Sequence, residues 1–383
     1  MDHCLARHPI PTLPSPRLPS LQKPHNFSSK TALKLPTKPR AFAVIASAGA
    51  SHCEPTPSSS LNSPLEPRSL PGRFLSTVLQ NHRQLFHTAV ADELRLLADD
   101  RDGALSRMLL SAGSDEACLH RRVAQLKEHE CQIAIEDVMF MLIFYKFSEI
   151  KVTLVPRLSR CIYNGRLEIW PSKDWELESY HSLEILEMVK EHVTTVTGLR
   201  ADSSVTDNWA TTKITRLMLG RVYVASILYG YFLKSASLRH RLEQSLASVN
   251  QDLRLGHKPP LQFQELCPYG LTSLLFGRIS SMQCVSTNQE VKHGSLKCYV
   301  MGFDPETLQR CAKLRSKEAV SLIENHSHAL FGDEKTGLVE TDEVILTSFS
   351  SLKRLVLEAV AFGTFLWDTE EYIDTVYKLK ENN

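Results

Sequence analysis

None of the nine cysteines, at positions 4, 53, 118, 131, 161, 267, 284, 298 and 311, belongs to a C-x-x-C pair, and an odd number at wide intervals fits neither a disulfide scaffold nor a zinc ribbon. No apolar run approaches the roughly 18 residues that a membrane-crossing helix needs. The stretch Val138-Met139-Phe140-Met141-Leu142-Ile143-Phe144-Tyr145 stops well short and reads as a helix buried on most sides. The phosphate-cradling G-x-x-x-x-G-K, the dinucleotide fingerprint G-x-G-x-x-G and the hydrolase elbow G-x-S-x-G are all missing. Charge of one sign is not in excess either, with 44 basic against 43 acidic residues. Apolar residues at 43% and charged residues at 23% exclude a wholly disordered, collagen-like or membrane-dominated chain, so a packed body is expected.

What is present divides sharply near residue 71. The first 71 residues hold 13 of the 19 prolines and serine-rich patches such as Ser58-Ser59-Ser60. Residues 1–46 carry seven cations (Arg7, Arg17, Lys23, Lys30, Lys34, Lys38 and Arg40) against one acid, Asp2. That acid-poor, Ser/Pro-rich balance is that of an organelle transit peptide, and no apolar segment of secretory length follows the basic start. The run Val44-Ile45-Ala46-Ser47 offers a plastid processing site near Ala46. Removal of residues 1–46 leaves 37 basic and 42 acidic residues, a net charge of −5. A basic face for phosphate is then lacking; the compact cluster Arg239-His240-Arg241 reads as the solvated end of a helix, and no nucleic-acid partner is expected.

From Ser69 onward the apolar period is close to 3.6. Phe74, Leu75, Val78, Leu79, Leu85, Phe86, Val90, Leu94 and Leu97 predict one amphipathic helix or a pair, ending at the polar stop Asp99-Asp100-Arg101-Asp102-Gly103. A long helix is predicted from Glu116 to Phe147, followed by an extended or loop segment from Val152 to Trp170 broken by Pro156 and Gly165. The apolar stretch Leu217 to Leu233 contains Gly220 and Arg221, which suits a central bundle helix better than a membrane span, because an arginine at the bilayer midplane costs at least about 2.5 kcal/mol. Arg354 has Glu358 one turn away as an ion-pair partner.

The most informative feature is internal similarity. Ser182 to Gly198 laid over Ser316 to Gly332, at a shift of 134, superposes Ser182, Glu184, His192 and Gly198 on Ser316, Glu318, His326 and Gly332. One helix is thus read twice: serine at the N-cap, glutamate in the first turn, an apolar stripe, and glycine at the end. Pro171 meets Pro305 at the same shift, and Asp304-Pro305-Glu306 is a strong helix start. Downstream, at a shift of 133, Gly230-Tyr231-Phe232-Leu233 meets Gly363-Thr364-Phe365-Leu366, while Leu219, Arg221 and Val224 meet Leu352, Arg354 and Leu357. Each copy reads as a capped helix, a variable loop and a long apolar helix. Two equivalent glycines inside long helices, each followed by an aromatic residue, suggest that the helices cross closely there.

The phrases Tyr229-Gly230-Tyr231-Phe232-Leu233-Lys234, Asp304-Pro305-Glu306-Thr307-Leu308-Gln309-Arg310, Leu352-Lys353-Arg354-Leu355-Val356-Leu357-Glu358-Ala359-Val360 and Gly363-Thr364-Phe365-Leu366-Trp367-Asp368 resemble a plant plastid family, the UV-B-induced chloroplast proteins. The resemblance runs from Pro71 to about Asp374 and is weakest between Leu253 and Lys297. It implies chloroplast residence and a link to light or stress response. It implies no reaction, for the family brings no catalytic residues to carry over.

Candidate chemistry is sparse. His129-Glu130-Cys131-Gln132-Ile133 begins like the zinc-protease helix H-E-x-x-H, but Ile133 stands where the second histidine belongs. His326 and His328 lie two apart and point about 200 degrees apart on a helix, so they cannot share one ion unless the helix has already ended. His192 and His326, as equivalents, either meet near a pseudo-twofold axis to form a site or each hydrogen-bond a neighbouring helix end. No catalytic, cofactor-binding or metal residue is assigned, and no cofactor.

The sequence therefore predicts an all-α multi-helix bundle with irregular loops and little or no sheet. Residues 1–46 read as transit peptide, 47–70 as linker and 71–383 as a helical domain whose two units span about 165–250 and 299–380. The expected activity is that of a soluble stromal protein that binds a protein partner. The alternatives are an enzyme with a dispersed site and a peripheral thylakoid protein docking through an aromatic patch at Tyr229 and Tyr231. The mature N-terminus is expected between about Val44 and Cys53, because the charge asymmetry ends there. N-terminal sequencing of the protein from isolated plastids checks this, and an intact Met1 on the abundant form contradicts it.

Overall fold

A computed structural model describes residues 63–198, 211–254, 295–332 and 343–380. The transit-peptide reading of residues 1–46, most of the linker and most of the stretch 253–297 lie outside the described residues. The fold is mainly helical, with one small four-stranded sheet.

Helix α1 (Leu70–Asn81) starts where Ser69 caps Gly72 N–H and Pro71 sits in the first turn, where its missing N–H costs nothing. It is followed by a short 3₁₀ turn and α2 (Phe86–Leu110). The polar segment Asp99–Gly103 does not end a helix as the sequence suggested; α2 runs straight through it. Arg101, stacked 4.3 Å over the Tyr377 ring and donating to Tyr377 O, and Ala104, buried, hold that turn against the body. Tertiary contacts there outweigh weak local propensity. Helix α3 (Ala117–Glu149) is buried almost continuously from Ala134 to Ile143, as its apolar run predicts.

The remaining elements come in one order twice. Helices α4 (Asp174–Ser179) and α5 (Leu183–Thr197), strand β3 (Thr211–Thr215) and the long α6 (Arg216–Arg254) are followed, after α7 (Leu296–Met301), by α8 (Pro305–Ala312), α9 (Lys317–Phe331), β4 (Val344–Ser348) and α10 (Phe349–Val376). The N-caps fall on the predicted residues, and Asp304 accepts from Thr307 N–H and Ser316 from Ala319 N–H, whereas the Ser182 side chain makes no capping hydrogen bond at the start of α5. Gly198 closes α5 at φ 72°, a left-handed position that costs a residue with a Cβ. The predicted variable loop ends differently. Its last residues are strands: β3 pairs antiparallel with β4, Thr211 opposite Ser348 through Thr215 opposite Val344. On the other edge of β4 lies the two-residue β2 (Arg166–Leu167), parallel, backed by β1 (Ile162–Tyr163).

Helices α6 and α10 form the most extensive helix pairing, with α10 sunk in the core. A Cβ on Gly230 would lie 2.0 Å from Val360 O, and one on Gly363 would lie 1.9 Å from Ile227 O. The contacts are reciprocal, since Ile227 and Val360 stand at the same 133-residue shift as the two glycines. Arg239-His240-Arg241 is no helix end but lies inside α6, where His240 is buried and stacked 4.5 Å from the Tyr299 ring. Tyr231 is buried and Tyr229 half-buried, so they form no exposed docking patch: Tyr231 donates to Glu370 at 2.6 Å and Tyr229 stacks on His192.

Backbone carbonyls block both glycine positions, and rotamer changes cannot move them. Gly230→Ala and Gly363→Ala are therefore each expected to destabilise by about 2–3 kcal/mol or more. Gly103→Ala in α2, whose added Cβ would meet nothing closer than Arg107 Nη2 at 3.8 Å, is expected to stabilise by about 0.5–1 kcal/mol. Urea unfolding of the three variants measures both signs.

Candidate functional site

Two polar assemblies stand out, one open to solvent and one sealed. The open one is a groove of about 310 Å³ lined by Arg68, His129, Gln132, Ile133, Glu136, Ser321, Glu324 and Asn325. Spacings of three, four and seven put His129, Gln132, Ile133 and Glu136 on one face of α3. Helix α9 supplies the opposite wall. The chain before α1 closes one side, because the Asp137 carboxylate accepts Arg68 N–H (2.8 Å) and Ser69 N–H (2.6 Å) and so pins Arg68 over α3. Arg68 Nη2 and Asn325 Nδ2 donate to the same Glu136 oxygen at 2.7 and 3.1 Å. Burial pushes the Glu136 carboxyl above the usual range, opposed by the Arg68 guanidinium. His129 and Glu324 are exposed at the groove with no hydrogen-bond partner among the described residues. The groove thus offers donors and acceptors from three elements around a nearly buried carboxylate.

The sealed assembly surrounds Glu358, which is 0% exposed. Both of its oxygens accept from Val155 N–H (3.2 and 3.0 Å), and one also accepts from Tyr223 OH (3.3 Å). Arg354 Nη1 stands 2.8 Å away as the predicted i,i+4 partner, an ion pair by proximity rather than by an aligned hydrogen bond. The Arg354 Nη2 donates to Thr153 O at 2.9 Å. Tyr223 gives its one proton to Glu358, so its oxygen takes the Nε2 proton of His326, 3.1 Å away. That tautomer leaves His326 Nδ1 bare and without a partner among the described residues. Desolvation holds His326 neutral with a pKa of about 3, lifts Tyr223 well above its ordinary value and raises Glu358 against the pull of Arg354. This set has acid–base residue types but no opening to substrate, and its geometry fits the cementing of α6, α9, α10 and the Val152–Val155 strap.

The two histidines do not meet. His192 Nε2 lies 3.0 Å from Ser226 Oγ, whereas His326 turns to Tyr223, so each bonds to a side chain within α6 and neither to a helix end. Each also stacks on an equivalent ring, His192 on Tyr229 (4.2 Å) and His326 on Phe362 (4.5 Å). His328 is exposed while His326 is buried, as residues two apart on a helix should be. Cys131 is buried, its thiol facing Leu97 O at 3.7 Å. Among the described residues no group of three His, Cys, Asp or Glu side chains could hold a metal. The groove itself went unforeseen from sequence, because Arg68, Glu136 and Asn325 come from segments 68 to 257 residues apart.

Comparison with known proteins decides the family. A chloroplastic UV-B-induced protein of Arabidopsis thaliana is 36% identical over 351 residues, which cover 88% of this chain and 82% of that protein. The chain belongs to the family of UV-B-induced chloroplast proteins. Residues 118–246 match the family described as "Protein of unknown function (DUF760)". That match takes in α3 through most of α6, with all four of the groove-lining side chains of α3 among the first twenty residues it covers. No solved structure matches the chain.

Removing one partner of the sealed ion pair strands the other. Arg354→Ala is expected to cost about 3–5 kcal/mol, and the apolar pair Arg354→Met/Glu358→Leu much less, in urea unfolding. The neutral His326 makes the fold acid-sensitive. Its folded pKa of about 3 lies below the unfolded value near 6.5, so the unfolded chain binds the extra proton between those limits. The stability it contributes is complete above about pH 6.5 and falls as pH drops, by about 2 kcal/mol at pH 5. A His326→Gln variant should lose that part of the pH dependence.

Proposed function

We propose that this family member is a soluble stromal protein that acts by binding, in the response of the chloroplast to UV-B or light stress, with the α3–α9 groove as the seat of binding. Chloroplast residence is supported by the chloroplastic relative and by the one-sided charge of residues 1–46, read as a transit peptide. The two copies of a helix-pair unit, about 165–250 and 299–380, form the scaffold in this reading, and α9 of the second copy supplies one wall of the groove. The observation that carries it is the groove's construction. A nearly buried carboxylate is held ready by Arg68 and Asn325, and the exposed His129 and Glu324 stand beside it.

That pattern suits a small ligand, or a short polar segment of a protein partner, that presents a cation to Glu324 and a hydrogen-bonding group to His129. A thermal-shift screen of the full chain against polar plastid metabolites and short basic peptides tests it. A hit should raise the melting temperature, and the shift should vanish in His129→Ala/Glu324→Ala, whose own melting matches the parent. A shift that survives this variant removes the groove from the proposal.

A further inference from the structure

The stretch from Lys151 to Trp175 differs in charge from the rest. It holds five cations (Lys151, Arg157, Arg160, Arg166 and Lys173) and two anions, Glu168 and Asp174, in a chain that is net acidic without residues 1–46. Both anions are engaged, Glu168 by Arg166 at 2.9 Å and Asp174 by Lys353 at 3.1 Å. Just beyond, Glu176 is paired with Lys173 at 2.6 Å and Glu178 with Lys353 at 3.0 Å, while Glu184 is exposed, so the basic excess rests on Lys151, Arg157 and Arg160. Lys151, Arg157 and Arg160 are exposed and have no ion-pair partner among the described residues.

The same stretch presents large aromatic side chains to solvent, Tyr163 at 72%, Trp170 at 85% and Trp175 at 78% exposure. The fold forces them outward. Glu168 N–H bonds to Cys161 O, which extends the β1–β2 pairing, and Ser351 Oγ accepts Ile169 N–H at 3.1 Å. Leu167 and Ile169 therefore turn inward, and the alternation of an extended chain sends Trp170 to the outer face with Tyr163 and Arg166. On α4, Leu177 is buried while Asp174 and Glu178 are both gripped by Lys353 of α10, which leaves Trp175 on the outer side. Leu183, 81% exposed, follows at the start of α5. The backbone that carries Trp170 and Trp175 is tied to the body by these bonds.

We infer that this face docks on an anionic lipid surface, with Tyr163, Trp170, Trp175 and Leu183 entering the interfacial layer and Lys151, Arg157 and Arg160 meeting lipid headgroups. Tryptophan and tyrosine settle at the level of the headgroups because one end of the ring is apolar and the other can hydrogen-bond. Cations within a Debye length of an anionic leaflet add attraction that salt weakens. Among the described residues no helix is long and apolar enough to cross a membrane, so the contact is peripheral. Cations interleaved with aromatics also suit single-stranded nucleic acid. The aliphatic Leu183 offers nothing to a stacked base but does partition into lipid, which favours the bilayer.

Co-sedimentation of the full chain with vesicles of phosphatidylcholine, with and without phosphatidylglycerol, tests the inference. Binding should require phosphatidylglycerol, weaken with salt and shift tryptophan emission to the blue. The parent and its variants share the basic N-terminal segment, so differences between them report this face alone. Arg157→Ala/Arg160→Ala should bind about thirtyfold more weakly, roughly fivefold for each cation removed. Trp170→Ala/Trp175→Ala should lose most of the remaining affinity, and both variants should melt like the parent because the altered side chains project into solvent. The inference is overturned if the parent does not bind the anionic vesicles, if the variants bind as tightly as the parent, or if single-stranded RNA displaces the vesicles and itself binds in a Trp170- and Trp175-dependent way.

Discussion

The crossing of α6 and α10 at Gly230 and Gly363 is the constraint on which the rest of the structure depends. Each glycine lets the carbonyl of the opposing helix, Val360 or Ile227, approach to a distance at which no Cβ fits. Thr364 ties the crossing further by donating to Gly230 O at 3.4 Å and to Val360 O within its own helix at 3.0 Å. Once the backbones are this close, side chains one or two turns away are in reach of each other. Tyr223 meets Glu358 on one side of the crossing and Tyr231 meets Glu370 on the other. Glu370 in turn accepts from both the backbone and the hydroxyl of Ser316, and so holds the start of α9.

The two halves around this crossing share an order of elements and differ in burial. Arg221 and Arg354 are equivalent, yet Arg221 faces solvent whereas Arg354 is 2% exposed. The Val152–Val155 strap covers only the second half, where Thr153 O and Val155 N–H satisfy Arg354 and Glu358. His192 and His326 differ in the same way, the first half-buried and the second sealed. A charged pair can persist in the interior only with such partners, since desolvation alone disfavours it.

Much of the helical framework was legible in the sequence because its causes are local. Ser316 and Asp304 cap because a short side-chain oxygen reaches the N–H three residues on, and the apolar period placed α3, α5, α9 and α10 correctly. The failures share a cause as well. The polar composition of Asp99–Gly103 suggests a stop, but Arg101 finds Tyr377 276 residues away. Strands β3 and β4 were hidden in a variable loop because five residues carry little period, and pairing across 133 residues creates the strand. Tyr231 looked free for docking because an aromatic beside glycine says nothing about a buried Glu370 on another helix.

The sequence by itself determined the helical class, the caps, the doubled pattern of landmarks, the likeness to the family and the close approach at the two glycines. All of these follow from residues within a few turns of one another or from similarity along the chain. Only the tertiary structure decided which polar residues are spent inside and which are offered outside. Arg68, Glu136 and Asn325 form a groove, Tyr223, His326 and Glu358 a sealed network, and Tyr163, Trp170 and Trp175 an outward face. The physical reason is that burial and pairing are properties of three-dimensional neighbours: the same histidine or tryptophan is cement or contact surface according to what packs against it, and no local pattern encodes that.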